Sequence, residues 1–150
     1  MASTVGTAGG TDDASATINT STIAGLSDVD IVAGQSGSNL VTGTSLGDFE
    51  AIASSTEGDA TASSDVNAFG IRDADADGTI TTSGGIRAIA NLSNSVVANT
   101  VNGNASATAT ADAVGLSGYS VTILGSGSLD ATALSNSSGI ATSVTGTASA

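Results

Sequence analysis

Small apolar residues alternate with polar ones along much of this chain. Ile86, Ala88 and Ala90 are separated by Arg87, Ile89 and Asn91; Leu129, Ala131 and Ala133 by Asp130, Thr132 and Leu134. Ala105, Ala107, Ala109 and Ala111 are separated by Ser106, Thr108, Thr110 and Asp112. A period of two describes strands with one face turned inward. Ala alone would favour helix, but its neighbours here are Ser, Thr, Asn, Asp and Gly, which are poor in helix interiors. No stretch carries the i, i+3, i+4, i+7 pattern of an amphipathic helix. Clusters of turn residues lie between the runs, at Ser83-Gly84-Gly85, Ser93-Asn94-Ser95, Asn102-Gly103 and Ser135-Asn136-Ser137-Ser138-Gly139, and predict chain reversals there.

The pattern also repeats at long range. Gly25, Gly70 and Gly115 sit 45 residues apart inside similar phrases: Ile23-Ala24-Gly25-Leu26, Ala68-Phe69-Gly70-Ile71 and Ala113-Val114-Gly115-Leu116. A second phrase recurs out of step, at Asp12 to Ala16, Gly58 to Ala62, Gly103 to Ala107 and Gly146 to Ala150. The repeats run over 12–57, 58–102 and 103–145, with partial repeats at 1–11 and 146–150. Residues 80–103 align with 123–146 without a gap, and the extra residues of repeat one are expected around Gly43 to Asp48. A period of this length marks stacked units. The predicted fold is all-β, a parallel β-solenoid in which like residues of successive turns form ladders. Each repeat is read as two coils of about 22 residues, with one large coil as the alternative. A chain that opens and closes within a repeat points to a piece of a longer array or to end-on stacking.

Composition narrows the function. The 150 residues include no Cys, His, Pro, Trp or Lys, and two Arg face 14 acids for a net charge of -12. Without His or Cys there is no conventional Ser-His-Asp or Cys-His site, and without Lys no Schiff-base chemistry. Paired carboxylates could cleave a glycosidic bond, but the aromatic lining that holds a sugar has only Phe49, Phe69 and Tyr119 to draw on. An enzyme is not expected. The acidity argues against nucleic acid as a partner, and no apolar run is long enough for membrane insertion. Disorder is the competing state for so acidic and small-residue-rich a chain. The absence of Pro and the fixed phase of the apolar residues favour order.

One local motif could carry chemistry. Asp73-Ala74-Asp75-Ala76-Asp77-Gly78 places three carboxylates at alternate positions before a glycine, as in the first half of a calcium loop. Asp73, Asp75, Asp77 and the backbone carbonyl of Thr79 are the candidate calcium ligands. The bidentate acid that would close a twelve-residue loop is replaced by Gly84, and the ninth position of a shorter loop is Thr81. The alternative is a solvated acidic turn, with Arg72 neutralising part of it. Phe49 and Tyr119 are the candidate contact residues of a binding face, and Phe69 has a core-like phase.

The phrase Gly127-Ser128-Leu129-Asp130-Ala131-Thr132-Ala133-Leu134-Ser135-Asn136-Ser137-Ser138-Gly139-Ile140 resembles the G-x-L-x-A-x-x-L-x-N-x-G-I pattern of filamentous-haemagglutinin-type adhesins, which are right-handed parallel β-helices. The Ala/Thr/Asp/Gly repeat style is similar to that of large secreted repeat proteins of bacteria, including cyanobacterial surface proteins. These resemblances imply an extracellular or cell-surface structural protein that stacks head to tail into filaments. They also allow a segment of an adhesin or phage fibre that recognises a surface glycan or protein.

Overall fold

The computed structural model describes residues 2–28, 30–32, 40–75, 77–124 and 126–150. Its strands are β1 (Ala2–Gly10), β2 (Ala14–Ser27), β3 (Ile31–Val32), β4 (Val41–Ser55), β5 (Ala60–Arg72), β6 (Thr79–Thr82), β7 (Ile86–Thr100), β8 (Ala105–Ser117), β9 (Ser120–Ile123), β10 (Leu129–Ser143) and β11 (Ala148–Ser149). They form three parallel sheets. Sheet A has the order β1-β4-β7-β10, sheet B β11-β8-β5-β2, and sheet C β3-β6-β9. The chain visits A, B and C in turn and then begins again, which makes it a parallel β-solenoid.

One repeat is one large coil, not two small ones. In sheet A, Val41 pairs with Ile86 and Ile86 with Leu129, spacings of 45 and 43 residues. The segments read as turns at Ser93-Asn94-Ser95 and Ser135 to Gly139 lie inside β7 and β10. Polar side chains sit on the inward face there because the opposite sheet offers backbone acceptors. The Asn94 amide donates to the carbonyls of Ser64 (3.4 Å) and Thr110 (2.9 Å). The Ser135 and Ser137 hydroxyls donate to the carbonyls of Ala111 (2.5 Å) and Ala109 (3.0 Å). With those donors paired, and only the Asn94 Oδ1 among these side chains left without a partner, a strand can run through a sequence that otherwise favours a reversal.

Gly43 to Asp48 also lie within a strand, in register with Ala88 to Ser93. The extra residues of the first repeat fall earlier, because Ile31 to Val41 spans four more positions than its counterpart Ile80 to Ile86. Sheet C shifts register as well. Thr79 pairs with Ser120 and Ile80 with Val121 rather than with Ile123, and the longer connection from Ile123 to Leu129 restores the 43-residue match in β10.

The two recurring phrases have separate structural roles. The glycine phrase divides the interior. A Cβ on Gly70 would lie 2.5 Å from the Ile89 nitrogen and 2.6 Å from the Gly115 oxygen, so sheets A and B meet there backbone to backbone. On one side is a core of Ala51, Ala53, Ala62, Ala68, Ala90 and Ala98 around Phe49, Leu92, Val66 and Val96. On the other, Val41, Ile71, Ile80, Ile86 and Ala88 fill the corner under sheet C.

The second phrase builds the turn from sheet A to sheet B. The last inward residue of β4, β7 and β10 is a hydroxyl that donates to the coil below: Ser55 to the Asp12 carbonyl (2.5 Å), Thr100 to that of Gly58 (2.7 Å) and Ser143 to that of Gly103 (2.6 Å). Beside it, the carboxylate of Asp13 accepts the Asp59 N–H (2.8 Å), Asp59 accepts that of Asn104 (2.7 Å), and the Asn104 side chain accepts that of Thr147 (3.1 Å). Each coil thus satisfies turn donors of the next.

Candidate functional site

The acidic turn joins β5 to β6. Sheets B and C show why it is long: β5 and β8 are 45 residues apart in register, but β6 and β9 only 41, so the second coil carries four extra residues at this corner. The turn of the coil below, with Asp28 and Asp30, lies directly beneath. Asp28, Asp30, Asp73, Asp75, Asp77 and Gly78 line a cleft of about 120 Å³.

Within this cleft most of the carboxylate contacts hold the loop. Asp73 is 5% exposed, and its two oxygens accept the backbone N–H groups of Asp75 (3.2 Å) and Gly78. Asp30 accepts both the N–H (2.8 Å) and the hydroxyl (3.1 Å) of Thr79. Asp28 has φ of 53°, a left-handed conformation that Asp tolerates better than most residues. It accepts the Ala74 N–H at 2.9 Å and the Ser27 hydroxyl at 2.5 Å. The bond from Ala74, then that from Ser27, holds the Asp28 carboxyl below its ordinary range. Desolvation opposes the shift, and the Arg72 charge adds to it. The guanidinium of Arg72 itself lies over the Phe69 ring, 4.9 Å from its centroid.

Asp73, Asp75 and Asp77 therefore line one cleft, and Thr79 is bonded to Asp30 at its edge. Among the described residues, no three acidic side chains are gathered as a metal ion would require. Asp28 and Asp30 belong to the same cleft and were not among the candidates. The 45-residue spacing between Asp28 and Asp73 was the signal that could have found them.

The aromatic candidates need correction. Phe49 is 1% exposed, inside the larger core, and cannot contact a partner. It takes an inward position of β4, and neighbouring Gly47 leaves room for its ring: a Cβ there would lie 2.7 Å from the Phe49 Cε2. Tyr119 is half-buried and packs against the corner core. Phe69, given a core-like phase by its sequence, is also partly exposed, because Gly70 beside it occupies the inward slot.

The stack ends form a second candidate site. β10 pairs with β7 over its full length, yet its inward face is open. Ala131 and Ala133 are exposed, whereas Ala88 and Ala90 in the same ladders are 0% exposed. Leu129, Leu134, Ile140 and Val144 are 50–71% exposed. In sheet B, β11 covers only Ala105 and Ser106 of the β8 edge. At the opposite end, no described strand pairs with the outer edges of β1 and β2. Neither contains a charged residue, and the one acid of β10, Asp130, is 3.6 Å from Arg87.

Comparison with known proteins gives no match: no family model fits the chain, and neither a curated protein nor a solved structure matches it. No helix among the described residues is long and apolar enough to cross a membrane.

Proposed function

We propose that this chain is an extracellular structural protein whose copies stack head to tail into filaments. The observation that carries the reading is the state of the stack ends. Exposed strand edges template further strands, and natural sheets blunt them with charge, proline or a covering element. Here 14 acids are distributed over the chain, yet β1 and β2 carry none of them. Proline is absent, and no helix covers either end among the described residues. The extracellular assignment rests on the resemblance of residues 127–140 to adhesin repeats.

The net charge of -12 opposes association between copies. Screening over a Debye length of about 10 Å at 0.1 M salt relieves it. Filaments one solenoid wide are expected in electron micrographs and scattering at 0.15 M salt, with shorter particles at 0.01 M. Monomers at every salt concentration would remove the proposal.

The adhesin reading retains one observation in its favour, the partly exposed Phe69 with Arg72 over its ring. Loss of glycan or cell binding in Phe69→Ala, with filaments intact, would support it.

A further inference from the structure

Three turns from sheet A to sheet B are built alike and differ at one atom. In two of them the hydroxyl that donates to the coil below also accepts the N–H of the glycine three residues on, Ser55 from Gly58 at 2.9 Å and Ser143 from Gly146 at 2.8 Å. Thr100 shares their ladder and likewise donates to the coil below. No such bond joins the Gly103 N–H to Thr100, and it has no backbone partner among the described residues. Gly103 is also the one of these three glycines with positive φ, at 153°. The nitrogen left open belongs to the chain's one Asn-Gly pair, Asn102-Gly103. Asn102 is exposed, and glycine puts no Cβ beside that nitrogen. The Asn102 Oδ1 lies 3.3 Å from the Thr145 hydroxyl, whose proton it shares with the Val101 carbonyl at 3.1 Å. Donation to Oδ1 leaves the side-chain carbonyl carbon more open to attack. The one glycine that follows an Asp is closed by contrast: the Gly78 N–H, after Asp77, is held by the Asp73 carboxylate.

We infer that Asn102 is a modification site, at which the folded chain deamidates without an enzyme. The Gly103 nitrogen gives its proton to water and attacks the Asn102 Cγ. The bond from Cγ to the side-chain nitrogen breaks, ammonia leaves, and a five-membered succinimide closes. Water then opens the ring. Cleavage of the ring bond to Cγ gives Asp. Cleavage of the bond to the main-chain carbonyl gives isoaspartate, whose backbone runs through Cβ and Cγ. Nothing is oxidised or reduced, and water, to which Asn102 is open, is the one co-reactant. The product places a new charge on a defined corner. Ser55 pairs with Thr100, and the Asn102 N–H donates to the Thr56 carbonyl at 3.1 Å, so Glu57 lies opposite Asn102 in the turn ladder. A carboxylate at 102 joins Asp13, Glu57 and Asp59 there, and makes the net charge one unit more negative than -12. Isoaspartate also lengthens the main chain just before the Asn104 N–H, which bonds to Asp59 at 2.7 Å. The site lies in the middle coils and does not depend on whether copies stack.

The test follows the full chain over time in mildly alkaline buffer, folded and in urea. Mass spectrometry of peptides covering each asparagine reads the mass gain of amide-to-acid conversion, and fragmentation tells isoaspartate from aspartate. Asn102 should convert before every other asparagine, at a folded rate within about tenfold of the unfolded one. Conversion first at another asparagine, or a folded rate slower than that margin, would mean that the fold closes the site and would overturn the inference. Thr100→Ser tests the open nitrogen itself. It gives the middle turn the hydroxyl that its two neighbours use, in a ladder that already holds serine on both sides. The Gly103 N–H should then be capped and the reaction slowed about fivefold, the kinetic equivalent of one ordinary hydrogen bond. The urea midpoint of Thr100→Ser confirms that the variant folds. An unchanged or faster rate in the folded variant would overturn the role given to that nitrogen.

Discussion

β7 and β10 are built on the same pattern and lie in different environments. They align without a gap over fifteen residues, with Ile86 opposite Leu129, Ala88 opposite Ala131, Ala98 opposite Ala141 and Thr100 opposite Ser143. In β7 every second residue from Ile86 to Thr100 is buried. In β10 the same positions are open to solvent from Leu129 through Gly139. Burial in this fold is a property of place in the stack more than of the strand's own sequence. An interior strand has a neighbour on each side and a sheet across from it. The terminal strand has one neighbour and little above. Its attachment therefore depends on ladder hydrogen bonds and a few serine contacts, while side-chain packing does most for the middle coils.

The largest effect should come from the glycine ladder. At Gly70 a methyl group meets backbone at 2.5–2.8 Å, and backbone cannot give way as a side-chain tip can. At Gly115, one coil nearer the open end, the nearest atoms are at 3.2–3.3 Å. Gly70→Ala should cost about 3 kcal/mol or more, at the upper end of overpacking effects, and Gly115→Ala about 1 kcal/mol. Urea midpoints of the two variants at equal slope measure the difference. Equal losses would mean that the pinch between the cores is as tight at the end as in the middle.

Next comes the pair Ile86 and Leu129, which share a ladder. Ile86 is 1% exposed and Leu129 50%. Ile86→Ala should cost about 2–5 kcal/mol, the range for emptying a buried aliphatic site. Leu129→Ala should cost less than about 1 kcal/mol in dilute monomer, where half of the side chain is already hydrated. If copies stack as proposed and a second copy covers β10, the Leu129→Ala loss should grow in the assembled state toward that of Ile86→Ala. A loss that stays small after assembly would mean that the end face remains open.

Strand content, the inward phase of β7 and the stacking of Gly25, Gly70 and Gly115 were legible in the sequence, because all three follow from local alternation and fixed spacing. The size of the coil was not. Ser93-Asn94-Ser95 has the composition of a turn, and only the facing carbonyls of Ser64 and Thr110 make it the middle of a strand. Those acceptors lie 16 and 30 residues away, beyond any local pattern. The aromatic phases failed for a related reason. Gly47 and Gly70 decide which way Phe49 and Phe69 face, by the room that a missing side chain leaves or denies. In the acidic turn the sequence identified the carboxylates. It did not reveal that Asp73 turns inward to hold its own loop, or that the coil below contributes Asp28 and Asp30.

That loop gives a smaller effect. Asp73→Ala removes the acceptor for the Asp75 and Gly78 N–H groups in a nearly closed site and should cost about 1–3 kcal/mol. Asp77→Ala, at an exposed position, should lie within about 0.5 kcal/mol of the parent. The Asp73→Ala deficit should be the same in calcium and in chelator. A deficit present only in calcium would instead make the turn a cation site.

The smallest effect tests how the first coil is fastened to the second. Asp28 belongs to the first coil and accepts its main hydrogen bond from Ala74 of the second, so its carboxylate is charged most readily when the two coils are together. Its folded pKa lies below the ordinary value of 3.8. A depressed carboxyl stabilises the fold at pH values above the unfolded pKa, and that contribution is lost as pH falls through the folded one. The side chain is fully exposed to water, so the contribution is small and screened by salt. Asp28→Asn keeps an oxygen for the Ala74 N–H and tolerates the left-handed backbone, but has no charge to titrate. The stability advantage of the parent over Asp28→Asn should therefore be constant from neutral pH to about pH 5 and shrink below pH 4, more so at low ionic strength. If hydrogen exchange in 1–28 follows the same acid limb while 86–100 does not, the bond to Ala74 is a fastening of the end coil. A parallel change in both segments would mean that the coils open together, and the contrast between middle and end would then be one of burial alone.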